Sequence, residues 1–197
     1  MISGLYNGFW MVTEKGYGMT ASWLELVRKN DSNLVKLCRV DTFRGSGRGG
    51  QKRNKTSNAV RLTLHDLVVT ESAARSKAQN ITQALKKLRL AIALNPIQRN
   101  TVCPPFPKEI QPYLHQSTIR ISSRNPALPI FLGCLVDLFI VKRGNWAEIS
   151  SLCGVSNTQL RRFVEKQVPL RLAMDKIRRL SADNEGIRAE EAQRESQ

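Results

Sequence analysis

The chain has 197 residues, with 31 Lys and Arg against 16 Asp and Glu, a formal charge of +15 and a pI near 10.3. A hydrophobic share of 41% and a charged share of 24% are those of a folding chain and exclude wholesale disorder. The strongest apolar run, residues 130–141, contains Asp137 and is too short to span a bilayer. No secretory leader is visible, so a soluble cytoplasmic protein with an anionic partner, nucleic acid first, is expected.

Residues 1–19 carry Gly4, Gly8, Gly16 and Gly18 without a steady period and read as a flexible arm. Thr20 can cap a short helix through about Arg28, with Trp23, Leu24 and Val27 on one face. Asp31 and Ser32 offer a second cap ahead of Leu34, Val35 and Cys38. Residues 39–44 read as a strand running into a glycine-rich segment. Val60, Leu62 and Leu64 then alternate with Arg61 and Thr63, the period of a half-buried strand. Residues 67–70 can pair with it across a tight turn at His65-Asp66. Ser72 is placed to cap a helix with Ala78, Ile81, Leu85, Leu88 and Ile92 on its buried stripe, ended by Asn95-Pro96. Residues 20–95 thus predict a small α/β domain: helix, strand, Gly-rich loop, hairpin, helix.

Residues 96–125 hold five of the eight prolines and read as a linker, with a strand at 118–121 as its one regular piece. A helical unit follows over 126–182. Pro126 and Pro129 suit a first turn, and Gly144 can end the helix. Residues 146–153 predict a second helix. Ser156 and Gln159 form an S-x-x-Q box for a third, with Leu160, Phe163 and Val164 inward, and Pro169 opens a fourth. Residues 183–197 are mixed in charge, poor in large apolar groups, and read as a disordered tail. The fold class is α+β, a small α/β domain followed by a small all-α, helix-turn-helix-like unit. Cys38, Cys103, Cys134 and Cys153 form no CxxC pair, and His65 and His115 are the only histidines. Buried thiols are expected, with no metal and no cofactor.

The charge excess is concentrated. Residues 44–89 carry 11 basic side chains against Asp66 and Glu71. Over 44–55 the basic residues interleave with glycines and no acid intervenes, so the segment repels itself unless an anion binds it. A Walker-type phosphate loop needs G-x-x-x-x-G-K-[ST], which Gly49-Gly50-Gln51-Lys52-Arg53 fails. A dinucleotide loop needs a helix after it, and a strand follows here. Gln51 is neutral, with a donor and an acceptor, so chemistry at this segment works by placing water and stabilising developing charge.

The segment also resembles the class I peptide release factors and their ribosome-rescue relatives. Ser46, Gly47, Gly49, Gly50, Gln51, Asn54, Lys55, Ala59, Val60 and Arg61 match the S-G-x-G-G-Q…N-K…A-V-R signature in register. Arg75, Ser76 and Asn80 match the family's R-S-x-x-x-N at the next helix. The resemblance covers roughly residues 31–92. It implies a GGQ-type α/β domain whose loop enters the peptidyl-transferase centre of the large ribosomal subunit and hydrolyses the peptidyl-tRNA ester. Gly49, Gly50 and Gln51 are then the catalytic residues. The Gln51 backbone N–H stabilises the transition state, and its side chain shapes a site that admits water. Arg44, Arg48, Lys52, Arg53, Asn54, Lys55, Arg61 and Arg75 read as RNA contacts. The partners implied are the ribosome, its rRNA and peptidyl-tRNA, met by a monomer that needs no membrane.

Stop-codon reading in the full-length factors uses further domains ahead of the loop, and Gln51 has 50 residues before it. The organisation is similar to short codon-independent rescue relatives. It departs from them in its tail, where acids outnumber bases, and resembles a bacterial group of release-factor-like proteins in which a small helical unit follows the catalytic domain. Residues 148–163 fit a helix-turn-helix, with Arg161, Arg162 and Lys166 on an exposed arc that can face RNA. Two alternatives stand beside the enzyme: a non-catalytic ribosome- or RNA-binding factor, and a helix-turn-helix DNA-binding regulator.

Overall fold

A computed structural model describes residues 22–44, 57–97, 99, 101–115 and 118–195. The expected arm at 1–19 and the Thr20 cap lie outside the described residues. The mixed α+β architecture is present. In chain order come α1 (Trp23–Arg28), α2 (Asp31–Lys36), β1 (Arg39–Phe43), β2 (Ala59–Leu64), β3 (Leu67–Glu71), α3 (Lys77–Leu94), a 3-10 turn (Lys108–Tyr113), α4 (Ala127–Val141), α5 (Trp146–Cys153), α6 (Asn157–Lys166) and α7 (Val168–Glu195). The strands form one antiparallel sheet in the order β1-β2-β3.

Local chemistry explains most boundaries. Ser22 caps α1, accepting from the Glu25 N–H while the Glu25 carboxylate accepts from the Ser22 N–H. His65 takes the positive φ of 49° that the two-residue turn between β2 and β3 demands. Gly154, at φ 66°, ends α5 in the left-handed conformation, where an added Cβ would meet the His115 ring. Ser156 caps α6 through the Gln159 N–H, which is half of the expected box.

Val60, Leu62 and Leu64 point from the sheet onto Leu85, Leu88 and Ile92 of α3. On α3 the buried stripe includes Asn80, whereas Ala78, expected on it, is exposed. Helix α4 is buried nearly all round, from Ala127 to Phe139, as a helix apolar on every face must be. It packs on α3 and α1 on one side, and on α5 and α7 on the other. One continuous core therefore runs from the sheet through α4 into the C-terminal helices.

Three expectations for the second half of the chain change. The strand expected at 118–121 does not form, and the preceding segment is not a loose linker: Cys103, Ile110 and Leu114 are buried. Helix α7 runs to Glu195, past the point where a disordered tail is expected, because Ala, Glu, Gln and Arg sustain a helix by propensity. Cys103 and Cys134 are paired as a disulfide, with Cα atoms 5.5 Å apart, in place of two free thiols. Asp137 accepts from the N–H groups of Val102 and Cys103, which holds residues 102–103 against α4 near Cys134. Cys38 and Cys153 remain free, and burial pushes the Cys153 thiol up to about 11.

Asp137 is the centre of this junction. One carboxylate oxygen accepts from Arg99 Nε at 2.5 Å, the other from Trp23 Nε1 at 3.2 Å and from the N–H groups of Val102 at 2.8 Å and Cys103 at 3.2 Å. The Arg99 guanidinium also donates to the carbonyls of Ala93, Asn95 and Gly133, and stacks 4.5 Å from the Trp23 ring centroid. Both charged side chains are essentially inaccessible to water, 1% for Arg99 and 0% for Asp137. Burial draws the Arg99 pKa down and the Asp137 charge opposes that shift. Gly133 is required beside the pair, since an added Cβ would lie 2.4 Å from the Trp23 ring.

Asp137→Ala leaves a buried guanidinium without its counter-charge, so urea unfolding should show a loss of about 3–5 kcal/mol. Asp137→Asn, which keeps an acceptor for the N–H groups, should lose less. Equal midpoints for wild type and Asp137→Ala would show that the pair does not hold the junction.

Candidate functional site

Strands β1 and β2 are neighbours in register, with Phe43 opposite Ala59 and Asp41 opposite Arg61. The segment between them, residues 44–58, therefore leaves and returns at one end of the sheet. Arg48, Gly49, Gly50, Gln51, Lys52, Arg53, Asn54 and Lys55 lie outside the described residues. What the structure describes is the base from which that segment springs.

The base is tightly wired. The Asn80 side chain is buried, and all its hydrogen bonds go to backbone. Its Oδ1 accepts from the Ala74 N–H at 2.9 Å, and its Nδ2 donates to the Asn58 carbonyl at 2.7 Å and the Ala74 carbonyl at 3.0 Å. Asn58 in turn donates from Nδ2 to the Arg75 carbonyl at 2.9 Å. The returning end of the loop is thereby pinned to the start of α3. Glu71, at the end of β3, adds a second clamp: its Oε1 accepts from the N–H groups of Ser72 and Ala73, both at 2.9 Å, and its Oε2 pairs with Lys87 at 2.8 Å. These clamps hold residues 72–76 in a non-helical conformation. Helix α3 therefore begins at Lys77, behind Ser76, and not behind Ser72 as the capping pattern suggests.

The cations expected to meet RNA fall in three places. Arg44 and Arg75 are exposed at the loop base. Arg61 is exposed on the sheet face opposite α3, its guanidinium 5.4 Å from the Phe43 ring centroid. Arg161, Arg162 and Lys166 are exposed on α6, whose Leu160, Phe163 and Val164 are buried as expected. Arg161 is held in place by Asn157 at 2.8 Å and by stacking on Trp146, 5.3 Å from the ring centroid. Among the described residues no group of His, Cys, Asp or Glu can hold a metal, and no helix is long and apolar enough to cross a membrane. Reading the sequence found Asn80 only as part of a motif and missed Glu71 as a clamp. An acid at the end of a strand, followed by small residues, was the available signal.

Residues 34–104 match the family model of the RF-1 domain. The chain is 50% identical over 52 residues to peptide chain release factor 1 of Caulobacter vibrioides, covering 26% of this chain and 15% of that protein. It is 45% identical over 70 residues to peptide chain release factor 2 of Thermomicrobium roseum, covering 34% and 19%. It is 48% identical over 52 residues to peptide chain release factor 2 of Staphylococcus aureus, covering 25% and 14%. The match thus spans less than a fifth of each of these relatives. No solved structure matches the chain. The chain carries a class I release-factor-like domain.

Asn80→Ala removes the clamp: the Ala74 N–H loses its side-chain acceptor and the Asn58 carbonyl loses the Asn80 donor. Unfolding should show a loss of about 1–3 kcal/mol, and amide exchange should accelerate at residues 57–59. Wild-type exchange there would show that Asn80 does not hold the loop base. Lys87 and the two N–H groups hold the Glu71 carboxyl below the usual carboxylate range. Its contribution is therefore complete above the unfolded pKa and fades as pH falls through the lowered folded value. Glu71→Gln should make acid unfolding less steep in that window while costing stability at neutral pH.

Proposed function

We propose that this protein hydrolyses the peptidyl-tRNA ester on the ribosome, without reading a stop codon, to rescue stalled ribosomes in the cytoplasm. The observation that carries the reading is the release-factor-like domain at 34–104, with Gly49-Gly50-Gln51 in the segment that springs from its sheet end. Gly50 has no Cβ, so backbone N–H groups there can come close to the ester and its developing oxyanion. Gln51 is too weak a base to take a proton from water unaided. Its part is to place the attacking water while its N–H steadies the leaving 3′-oxygen, with the ribosome and tRNA supplying the remaining groups. Arg44 and Arg75 are exposed at the loop base and Arg61 on the neighbouring sheet face, and cations so placed suit phosphate contacts that seat the loop in rRNA. The Asn80 and Glu71 clamps supply the fixed base that an inserted loop needs.

Gln51→Ala and Gly50→Ala should each lower single-turnover release from ribosome complexes by about 10²-fold or more, the size expected when a stabilising donor is displaced. Co-sedimentation with ribosomes should be unchanged. Equal release from complexes with an empty A site, a sense codon and a stop codon is expected. Wild-type release by both variants would remove the catalytic reading and leave a non-catalytic ribosome-binding factor.

A second reading rests on α5, the Gly154 turn and α6, which have the sequence and order of a helix-turn-helix and present Arg162 and Lys166 outward. We favour RNA for this face, as part of the same ribosomal reading. Changing Arg161, Arg162 and Lys166 together to Glu should weaken ribosome affinity and flatten its salt dependence. Release at saturating protein should be preserved. Loss of affinity for a defined DNA duplex, with ribosome binding intact, would assign this half of the chain to DNA.

A further inference from the structure

We propose that the groove between the release-factor-like domain and the C-terminal helices is a binding site for single-stranded RNA, separate from both the glycine-rich loop and the α6 face. The groove has a volume of about 1020 Å³ and runs between the end of α1, the outer side of α3, the 3-10 turn and the start of α4. That is at or above the upper limit of about 300–1,000 Å³ usual for small-molecule pockets, and suits a length of polymer better than a metabolite.

Its charge is distinctive. The two acids on its walls are both neutralised within the protein: Glu109 by a two-pronged pair with Arg28 at 2.7 and 2.8 Å, and Asp31 by Arg89 at 2.8 Å. Arg28 holds the Glu109 carboxyl below the usual range, so this neutralisation persists into mild acid. Lys87 is likewise occupied by Glu71. Lys29, Lys86 and Arg124 remain, on three different walls, and among the described residues none has an ion pair. Among the described residues, three cations from different elements line one groove without an ion pair, while the acids of the same walls are taken by other partners.

The rest of the lining gives the chemistry of the occupant. Leu90, Leu128 and Tyr113 add apolar and aromatic surface to the same lining. The Tyr113 hydroxyl accepts from Asn125 Nδ2 at 2.5 Å, which fixes the ring in the groove lining. The N-terminal end of α4 opens onto the same groove and adds the positive end of its dipole. A groove lined by cations together with apolar and aromatic surface is what a single strand uses, its phosphates on the cations and its unpaired bases on the apolar surface. A duplex keeps its bases stacked inside and has nothing to put there. An acidic peptide would meet the cations and leave the apolar and aromatic surface unused. The inference rests on the ribosomal reading only for where such RNA is met.

The test is made off the ribosome, with the full chain and a fluorescein-labelled single-stranded RNA 12-mer of mixed A and U. Binding is followed by anisotropy over a range of KCl concentrations. Lys29→Gln, Lys86→Gln and Arg124→Gln together should reduce the slope of log affinity against log salt by about two, since each phosphate contact to a single strand contributes about 0.7. Each single substitution should remove about a third of that, so the slope is readable even where the triple variant folds poorly. Unlabelled single strand should compete far better than the same sequence as duplex or than polyglutamate. Unchanged slopes in all the variants, or equal competition by polyglutamate, would overturn the proposal. Gln51→Ala should bind this RNA as wild type does. Loss of release with RNA binding intact therefore bears only on catalysis, and unchanged slopes in the groove variants bear only on the groove.

Discussion

A single buried ion pair decides how this molecule is assembled. Arg99 and Asp137 are both inaccessible to water, and neither is tolerable there alone. Together they satisfy groups from four parts of the chain: the Trp23 indole of α1, the carbonyls at the end of α3, the backbone of residues 102–103, and the Gly133 carbonyl of α4. A carboxylate with two oxygens and a planar guanidinium with a fixed fork of donors meet that many partners in few geometries. Apolar packing of α4 against α3 would tolerate sliding; this network does not.

The consequence reaches the glycine-rich segment. The sheet and α3 are held to each other by the Val60, Leu62 and Leu85 core, and the loop base is held to α3 by Asn80. Because α3 is fixed to α4 through Arg99, the loop base, the groove and the α6 face belong to one continuous packed body. A loop that is to work at a distance from its domain needs such a base. Rigidity in the supporting elements is how a few glycines and one glutamine are delivered to a defined place.

Electrostatics divides along the same lines. Most acids that touch the core or the groove walls are consumed by specific partners: Asp137 by Arg99, Glu71 by Lys87, Asp31 by Arg89, Glu109 by Arg28. The net charge of +15 is therefore expressed on surfaces where basic side chains outnumber acids. Those surfaces are the loop base, the groove and the outer arc of α6.

Much of this was legible in the sequence because it depends on neighbours along the chain. Alternation marked β2, the short His65-Asp66 link marked the hairpin, and Ser156 and Gly154 marked the ends of α6 and α5, since period, turn chemistry and capping are local properties. The glycine-rich signature, with Arg75, Ser76 and Asn80 downstream, was equally legible, being a pattern of residue types at fixed spacing. Contacts that join distant residues were not. Asp137 looked like an interruption in an apolar run, Arg99 like one more cation in a proline-rich linker, and Cys103 and Cys134 like unrelated thiols. Glu71 and Asn80 moved the start of α3 to Lys77, which no capping preference could foresee, because the competing hydrogen bonds come from the fold. A buried charge is stable only beside its partner, and which charges become partners was decided by tertiary structure alone.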